Sequence, residues 1–304
     1  MLLDTRSATR ISTTSCFVVS FESLGEILTN RQALVLMTDF GVRDGAVAAM
    51  KGVALHVDSS LSILDLTHEV KPFDVWEGAY RLFQTHAYWR DGTVFVVVVD
   101  PGVGTARKSL AARLHGGQII VCPDNGLLTW LEPNLECVRE INETLHRLPG
   151  SAESYTFLGR DLYAYVGAKL ACGQLLFDDI GAEISTITRL EIPEPYLKNG
   201  IVSGVIPVLD INFGNVWTNI PKALLEQLGV QNGTELLIQI LEDNQLRYAS
   251  RLPFVHSFGA VQRGDGLVYV NSLLHTALAI NCENFATKHS ISSGANWSVQ
   301  MSLA

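Results

Sequence analysis

Residues 93–99 read TVFVVVV, apolar at all but the first position and β-branched at all but one. A strand with one wet face alternates apolar and polar residues, so this run belongs in a sheet covered on both faces. It passes straight into Asp100-Pro101-Gly102-Val103-Gly104, a turn composition. The same order of strand and then turn occurs twice more. Residues 33–37 (ALVLM) precede Thr38-Asp39-Phe40-Gly41, and residues 118–122 (QIIVC) precede Pro123-Asp124-Asn125-Gly126. A helix is expected over residues 46–56 and a further strand over residues 61–66. Asp74 opens a second helix with its apolar stripe at Trp76, Ala79, Tyr80, Phe83 and Ala87. Strands alternating with helices up to about residue 187 imply an α/β sandwich built on a mostly parallel sheet.

Residues 191–200 (EIPEPYLKNG) carry two prolines and read as a linker. Beyond them the texture changes to short strand-like runs at residues 201–209, 235–241, 245–249 and 266–270. Asn232-Gly233, Asp243-Asn244 and Gly264-Asp265-Gly266 punctuate these runs, and only residues 221–228 read as helical. A smaller, β-barrel-like domain is therefore expected over residues 201–304, after an N-terminal α/β domain over residues 32–190. Residues 1–31 read as a disordered extension, because the apolar stretch at residues 16–19 is too short for a signal-peptide core. No apolar run reaches the roughly 18 residues of a membrane span, so no membrane partner and a cytoplasmic location are expected.

The net charge of −9, from 31 acidic and 22 basic side chains, repels phosphate backbones and argues against a nucleic-acid partner. Five scattered cysteines form no CxxC pair and eight histidines no HExxH, so neither a metal nor a cofactor is expected.

In open α/β sheets ligands bind beyond the carboxyl ends of the strands, where the three turns carry Asp39, Asp100 and Asp124. Any one of these aspartates could be an ordinary turn or cap residue, but three in corresponding places favour a site. Residues 102–109 (GVGTARKS) approach a phosphate loop and fail it, since Arg107 stands where glycine must precede Lys-Ser. Asp74 and Arg81 are two helical turns apart on one face, about 10.5 Å of rise, and arginine leans back toward the helix start. The same Asp74, with Glu77 three residues on, also forms a capping-box pattern, so spacing alone leaves cap and catalysis both open. Residues 210–220 (DINFGNVWTNI) are the densest polar-aromatic cluster. The Asn215 amide matches the N6/N7 edge of adenine, and Phe213 and Trp217 offer flat faces for a purine. A hairpin with core aromatics explains the same residues equally well.

These pieces stand in the order found in the S-adenosylmethionine hydroxide adenosyltransferases, hydrolase relatives of fluorinase and chlorinase. The resemblance rests on TDFGVRDGAVAAMKG from Thr38, DVWEGAYR from Asp74, DPGVGT from Asp100 and PDNGLLT from Pro123. It continues through TFLGRD from Thr156, FGNVWTNI from Phe213 and Asn271-Ser272. It implies S-adenosyl-L-methionine as substrate, and a homotrimer with sites between neighbouring subunits. By resemblance Asp39 holds both ribose hydroxyls, Phe73 walls the ribose, and Phe213 and Asn215 meet adenine. Asp210 pairs with the methionine ammonium and Ser272 with its carboxylate. Asp44, Asp100, Phe157 and Trp217 complete the implied substrate contacts, and Asp74 and Arg81 the implied catalytic pair.

The DPGVGT form resembles the hydrolases, since fluorinase has tyrosine in place of Asp100 and threonine in place of Val103. Hydrolases of the family commonly read TFHGRD where this chain has Leu158. The resemblance thus implies hydrolysis to adenosine and methionine, slowed by the missing imidazole. A non-catalytic binder of the same ligand and a halogenase are the alternatives.

Overall fold

The computed structural model describes residues 32–304, which form one compact unit. The expected extension over residues 1–31 lies outside the described residues. The first sheet has six strands: β1 (Leu34–Thr38), β2 (Ile63–Thr67), β3 (Val94–Val98), β4 (Ser109–Leu114), β5 (Ile119–Pro123) and β6 (Leu135–Glu140). Their spatial order is β2-β1-β3-β5-β4-β6. The first four of these are mutually parallel, and β4 and β6 extend the sheet in antiparallel fashion. Every residue of β1, β3 and β5 is buried, as the doubly apolar runs require.

Alternation along the strands divides the core in two. Leu34, Leu36, Val94, Val96 and Val98 face one layer, formed by helix α1 (Ala46–Val57) and a later helical segment. Val35, Met37, Phe95, Val97 and Val99 face the other layer, formed by helix α2 (Val75–His86). The later segment follows a short helix α3 (Glu143–His146). It starts as a π-helical turn, Gly159–Ala164, and continues as α4 (Tyr165–Ala171). Gly167 of α4 sits so close to the sheet that a Cβ would overlap Val96 Cγ2, so only glycine lets the layer approach this far.

The second half of the segment read as a linker is a strand. β7 (Tyr196–Lys198) turns through Asn199 and Gly200, both at positive φ, into β8 (Ile201–Ile206). The remaining elements are β9 (Val208–Leu209), β10 (Val216–Pro221), α5 (Lys222–Gln227), β11 (Glu235–Glu242) and β12 (Gln245–Pro253). They continue with β13 (Gly266–Val270), β14 (His275–Ile280), α6 (Phe285–His289) and β15 (Gly294–Leu303). Two antiparallel sheets result, ordered β13-β14-β10-β9 and β12-β11-β15-β8-β7. They close on one core, in which Val216, Ile220, Val268 and Leu278 of the first meet Val202, Ile238, Val299 and Met301 of the second. Among the described residues, no helix is long and apolar enough to cross a membrane.

Helix α2 joins the two parts of the unit. Trp76 Nε1 donates to Pro207 O at 3.0 Å and Arg81 Nη2 to Leu209 O at 2.7 Å, so the chain at β9 is pinned to it.

Candidate functional site

The parallel strands end together, and their ends carry the first group of polar residues. Asp39 follows β1, and its Oδ2 accepts the Phe73 N–H at 2.8 Å. Burial raises its pKa above the ordinary aspartate value, partly opposed by backbone N–H donors and reinforced by the nearby charge of Asp100. Phe73 is held at φ 68°, a left-handed conformation unfavourable for a bulky residue, with its ring 72% exposed. Asp100, after β3, is clamped by Arg107, whose Nε donates to Oδ1 at 2.8 Å while Nη2 binds Oδ2. Arg107 in turn lies over the Tyr163 ring, 5.7 Å from its centroid. Phe157 meets Phe40 edge-on at 5.9 Å, beside the Asp39 loop. Asp44 is exposed and accepts the Ala46 N–H at 2.9 Å at the start of α1.

Asp74 is the N-cap of α2, accepting the Glu77 N–H on Oδ1 at 2.9 Å. Glu77 does not reach back to the Asp74 N–H, as a capping box would. Its Oε2 takes the Lys71 N–H and its Oε1 faces Arg81 Nε and Nη2 at 3.3 and 3.1 Å. The third nitrogen, Nη1, reaches Gln84 Oε1 at 3.2 Å. Arg81 is thus committed to Glu77, Gln84 and Leu209, and among the described residues no hydrogen bond or ion pair joins it to Asp74. Leu158 is buried in the apolar layer with α1 and α4, on the sheet face opposite α2, and directly precedes the π-helical turn.

The second group lies in the C-terminal part. A cavity of about 730 Å³ is lined by Asp210, Phe213 and Asn215 together with Phe258, Tyr269 and residues 280–284. Asn215 Nδ2 donates to Asp210 Oδ2 at 3.3 Å, and the Phe213 ring stands 67% exposed. Trp217 lies within β10, paired with Ala277 and Val208, and does not line the cavity. Ser272 is exposed in the β13–β14 turn, which Asn271 Oδ1 braces by accepting from the Leu273 and His275 N–H groups. Phe258 and Tyr269 had no sequence signal. They come together, 4.9 Å between ring centroids, only through the pairing of β13 with β14 and the loop before it. Burial pushes the Tyr269 hydroxyl up to about 12, so it stays a neutral donor.

The described residues thus join an α/β layer with acidic strand ends to a β lobe with a polar-aromatic cavity. The N-terminal domain model of the SAM hydroxide adenosyltransferases matches residues 34–181, and the C-terminal domain model residues 204–298. The chain belongs to the SAM hydroxide adenosyltransferase family. It is 33% identical to a fluorinase from Actinoplanes sp. over 289 residues, 86% of this chain and 95% of that one. It is 38% identical to an (R)-S-adenosyl-L-methionine hydrolase from Salinispora tropica over 248 residues, 80% of this chain and 88% of the relative. The crystal structure of an uncharacterized conserved protein from Thermotoga maritima has a TM-score of 0.81 at 31% identity, covering 88% of this chain and 99% of that one.

The geometry makes Arg81 a tie between lobes. Arg81→Ala removes the donor to Leu209 O and leaves the Glu77 carboxylate without its cation, which should cost about 1–3 kcal/mol. Urea unfolding at constant m-value measures this, and an unchanged midpoint would free Arg81 for a role toward ligand alone.

Proposed function

We propose that this chain hydrolyses S-adenosyl-L-methionine at C5′ to adenosine and L-methionine, with no cofactor beyond the substrate. The observation that carries this reading is the pair of carboxylates, Asp39 and Asp100, at adjoining strand ends. Arg107 neutralises Asp100, so Asp39 is the carboxylate of the pair left to accept from a hydroxyl or a water. The leaving group departs from a sulfonium as a neutral thioether and needs no general acid. The water must still be oriented and lose a proton, and a positioned base typically contributes about 10²–10⁴-fold.

In this reading an ionised Asp39, acceptor-only, takes the two ribose hydroxyls while Phe73 walls the sugar. Asp210 meets the methionine ammonium, Phe213 and Asn215 the adenine, and Ser272 the carboxylate. Asp74 uses one oxygen as a helix cap, which leaves the other to orient the water, and Arg81 acts by fixing the helix that carries Asp74. Asp44, Asp100, Phe157 and Trp217 act around these contacts, as substrate neighbours or supports.

The ribose contact is tested by Asp39→Asn. It should weaken adenosine binding by about 1–3 kcal/mol, the effect of a mispaired buried polar group. Wild-type affinity should be full at neutral pH and fall on acidification as Asp39 protonates, beginning above the ordinary aspartate range because its pKa is raised. The Asn variant should lose that pH dependence, and calorimetry showing unchanged affinity in it would return Asp39 to a turn role.

By resemblance the hydrolases carry histidine at position 158, which is leucine here, so hydrolysis is expected to be slow. Incubation with S-adenosyl-L-methionine, with and without chloride, should yield adenosine by chromatography. 5′-Chloro-adenosine would establish a halogenase and unchanged substrate a non-catalytic binder. Leu158→His should speed adenosine release while lowering stability by about 1–3 kcal/mol, since the imidazole enters apolar surroundings. Lost stability without gained rate would confine Leu158 to the core.

The two groups of contacts sit on separate parts of the chain, and the cavity is lined by C-terminal residues. This supports a homotrimer in which one subunit's strand ends face its neighbour's cavity. Adenosine affinity should then fall as the assembly is diluted apart, and full affinity in a sedimenting monomer would overturn the arrangement.

A further inference from the structure

Beneath Asp39 lies a chain of polar contacts that none of the roles above uses. Thr38 is fully buried, and its Oγ1 lies 2.9 Å from His68 Nδ1. The other ring nitrogen, Nε2, lies 3.0 Å from Asp65 Oδ1, and Lys51 Nζ donates to Asp65 Oδ2 at 2.6 Å. His68 itself is 3% exposed. Burial pushes Asp65 toward protonation, but its neighbours, Lys51 foremost, outweigh it and hold the carboxyl below its usual range.

Proton placement follows from the donor and acceptor inventory. An ionised Asp65 lies 3.0 Å from His68 Nε2, and although the pair is not aligned as a hydrogen bond, its charge favours a hydrogen on that nitrogen. The neutral ring then leaves Nδ1 as an acceptor, which receives the buried Thr38 hydroxyl proton. The Thr38 oxygen in turn accepts the Phe40 N–H at 3.2 Å. His68 grips the same turn a second time, since its carbonyl accepts the Gly41 N–H at 2.7 Å. Asp39 lies inside this turn, between the two gripped positions.

We infer that His68 is a positioning residue for ribose recognition, aligning the Asp39 carboxylate through Thr38 without touching substrate. The inference rests on the reading of Asp39 as the ribose ligand. Two hydroxyls captured by one carboxylate demand a fixed carboxylate plane. A turn held only by its backbone would let that plane tilt, and the second hydroxyl would lose its acceptor. Adenine, held in the C-terminal cavity, would not sense the tilt.

The test compares adenosine with 2′-deoxyadenosine, by calorimetry on the assembled full chain. Wild type should prefer adenosine by roughly 10-fold or more, the effect of one hydrogen bond to a charged acceptor. Glutamine reaches the place of Nε2 and asparagine that of Nδ1. His68→Gln should therefore keep the Asp65 contact, lose Thr38, and shrink the preference to about 3-fold or less. His68→Asn should keep the Thr38 contact and stay within about 3-fold of the wild-type preference. Thr38→Val, which deletes the hydroxyl at the other end, should behave like His68→Gln and covers the case in which that variant fails to fold.

A purely structural role for His68 would weaken both nucleosides alike and leave their ratio unchanged, which would overturn the inference. So would full discrimination in both His68→Gln and Thr38→Val. Absence of discrimination in the wild type would instead remove the ribose reading of Asp39, and this inference with it.

Discussion

Covering the parallel sheet on both faces is the constraint on which the rest of this molecule depends. Strands β1, β3 and β5 have no exposed residue, and none carries a charged side chain along its length. Charged groups are confined to the strand ends, and parallel pairing brings those ends to one edge. Asp39 and Asp100 adjoin because β1 pairs with β3 in register, from Leu34 opposite Val94 to Thr38 opposite Val98. The placing of these two carboxylates is therefore a consequence of burial and register, with Arg107 neutralising Asp100.

The second lobe is fixed against the first by few but well-placed bonds. Trp76 and Arg81, both on α2, donate to the carbonyls of Pro207, just before β9, and of Leu209, the last residue of β9. Backbone carbonyls are obligatory acceptors, so these two bonds satisfy groups that the short strand leaves exposed to the helix. Glu77, one turn earlier, pairs with the same guanidinium and offsets its charge. The hydrolase-like spacing of Asp74 and Arg81 and the tie between lobes are thus served by the same helix, and the sequence pattern alone could not separate the two uses.

What the sequence made legible follows from local periodicity. The doubly apolar runs and the stripe of α2 specified their elements, because each is visible within about ten residues. The antiparallel strands β4 and β6 were not anticipated, since SLAARL and LECVRE are short and mixed in character. The π-helical turn and α4 were also hidden: residues 159–171 are apolar almost all round, so no helical period stands out. β7 was masked by the prolines before it, and it tolerates them because it lies at a sheet edge. Within the candidate site, Asp210, Phe213 and Asn215 were legible as one dense cluster. Phe258, Tyr269 and Asn281 come from three separate segments, and only strand pairing collects them.

Residue 73 is where stability and site geometry diverge most clearly. A glycine there would adopt φ 68° without strain, whereas a phenylalanine in a sparsely populated region costs on the order of 1–3 kcal/mol. Nor does the ring recover this by burial, being 72% exposed. The backbone conformation sets the Phe73 carbonyl against the Val75 N–H and aims the Phe73 N–H at Asp39 Oδ2. That bond lowers the Asp39 pKa against the burial that raises it, and so favours the ionised carboxylate. Glycine could supply the same N–H, so the hydrogen bond accounts for the backbone but not for the side chain. The ring's exposure leaves it available for the ribose contact proposed above.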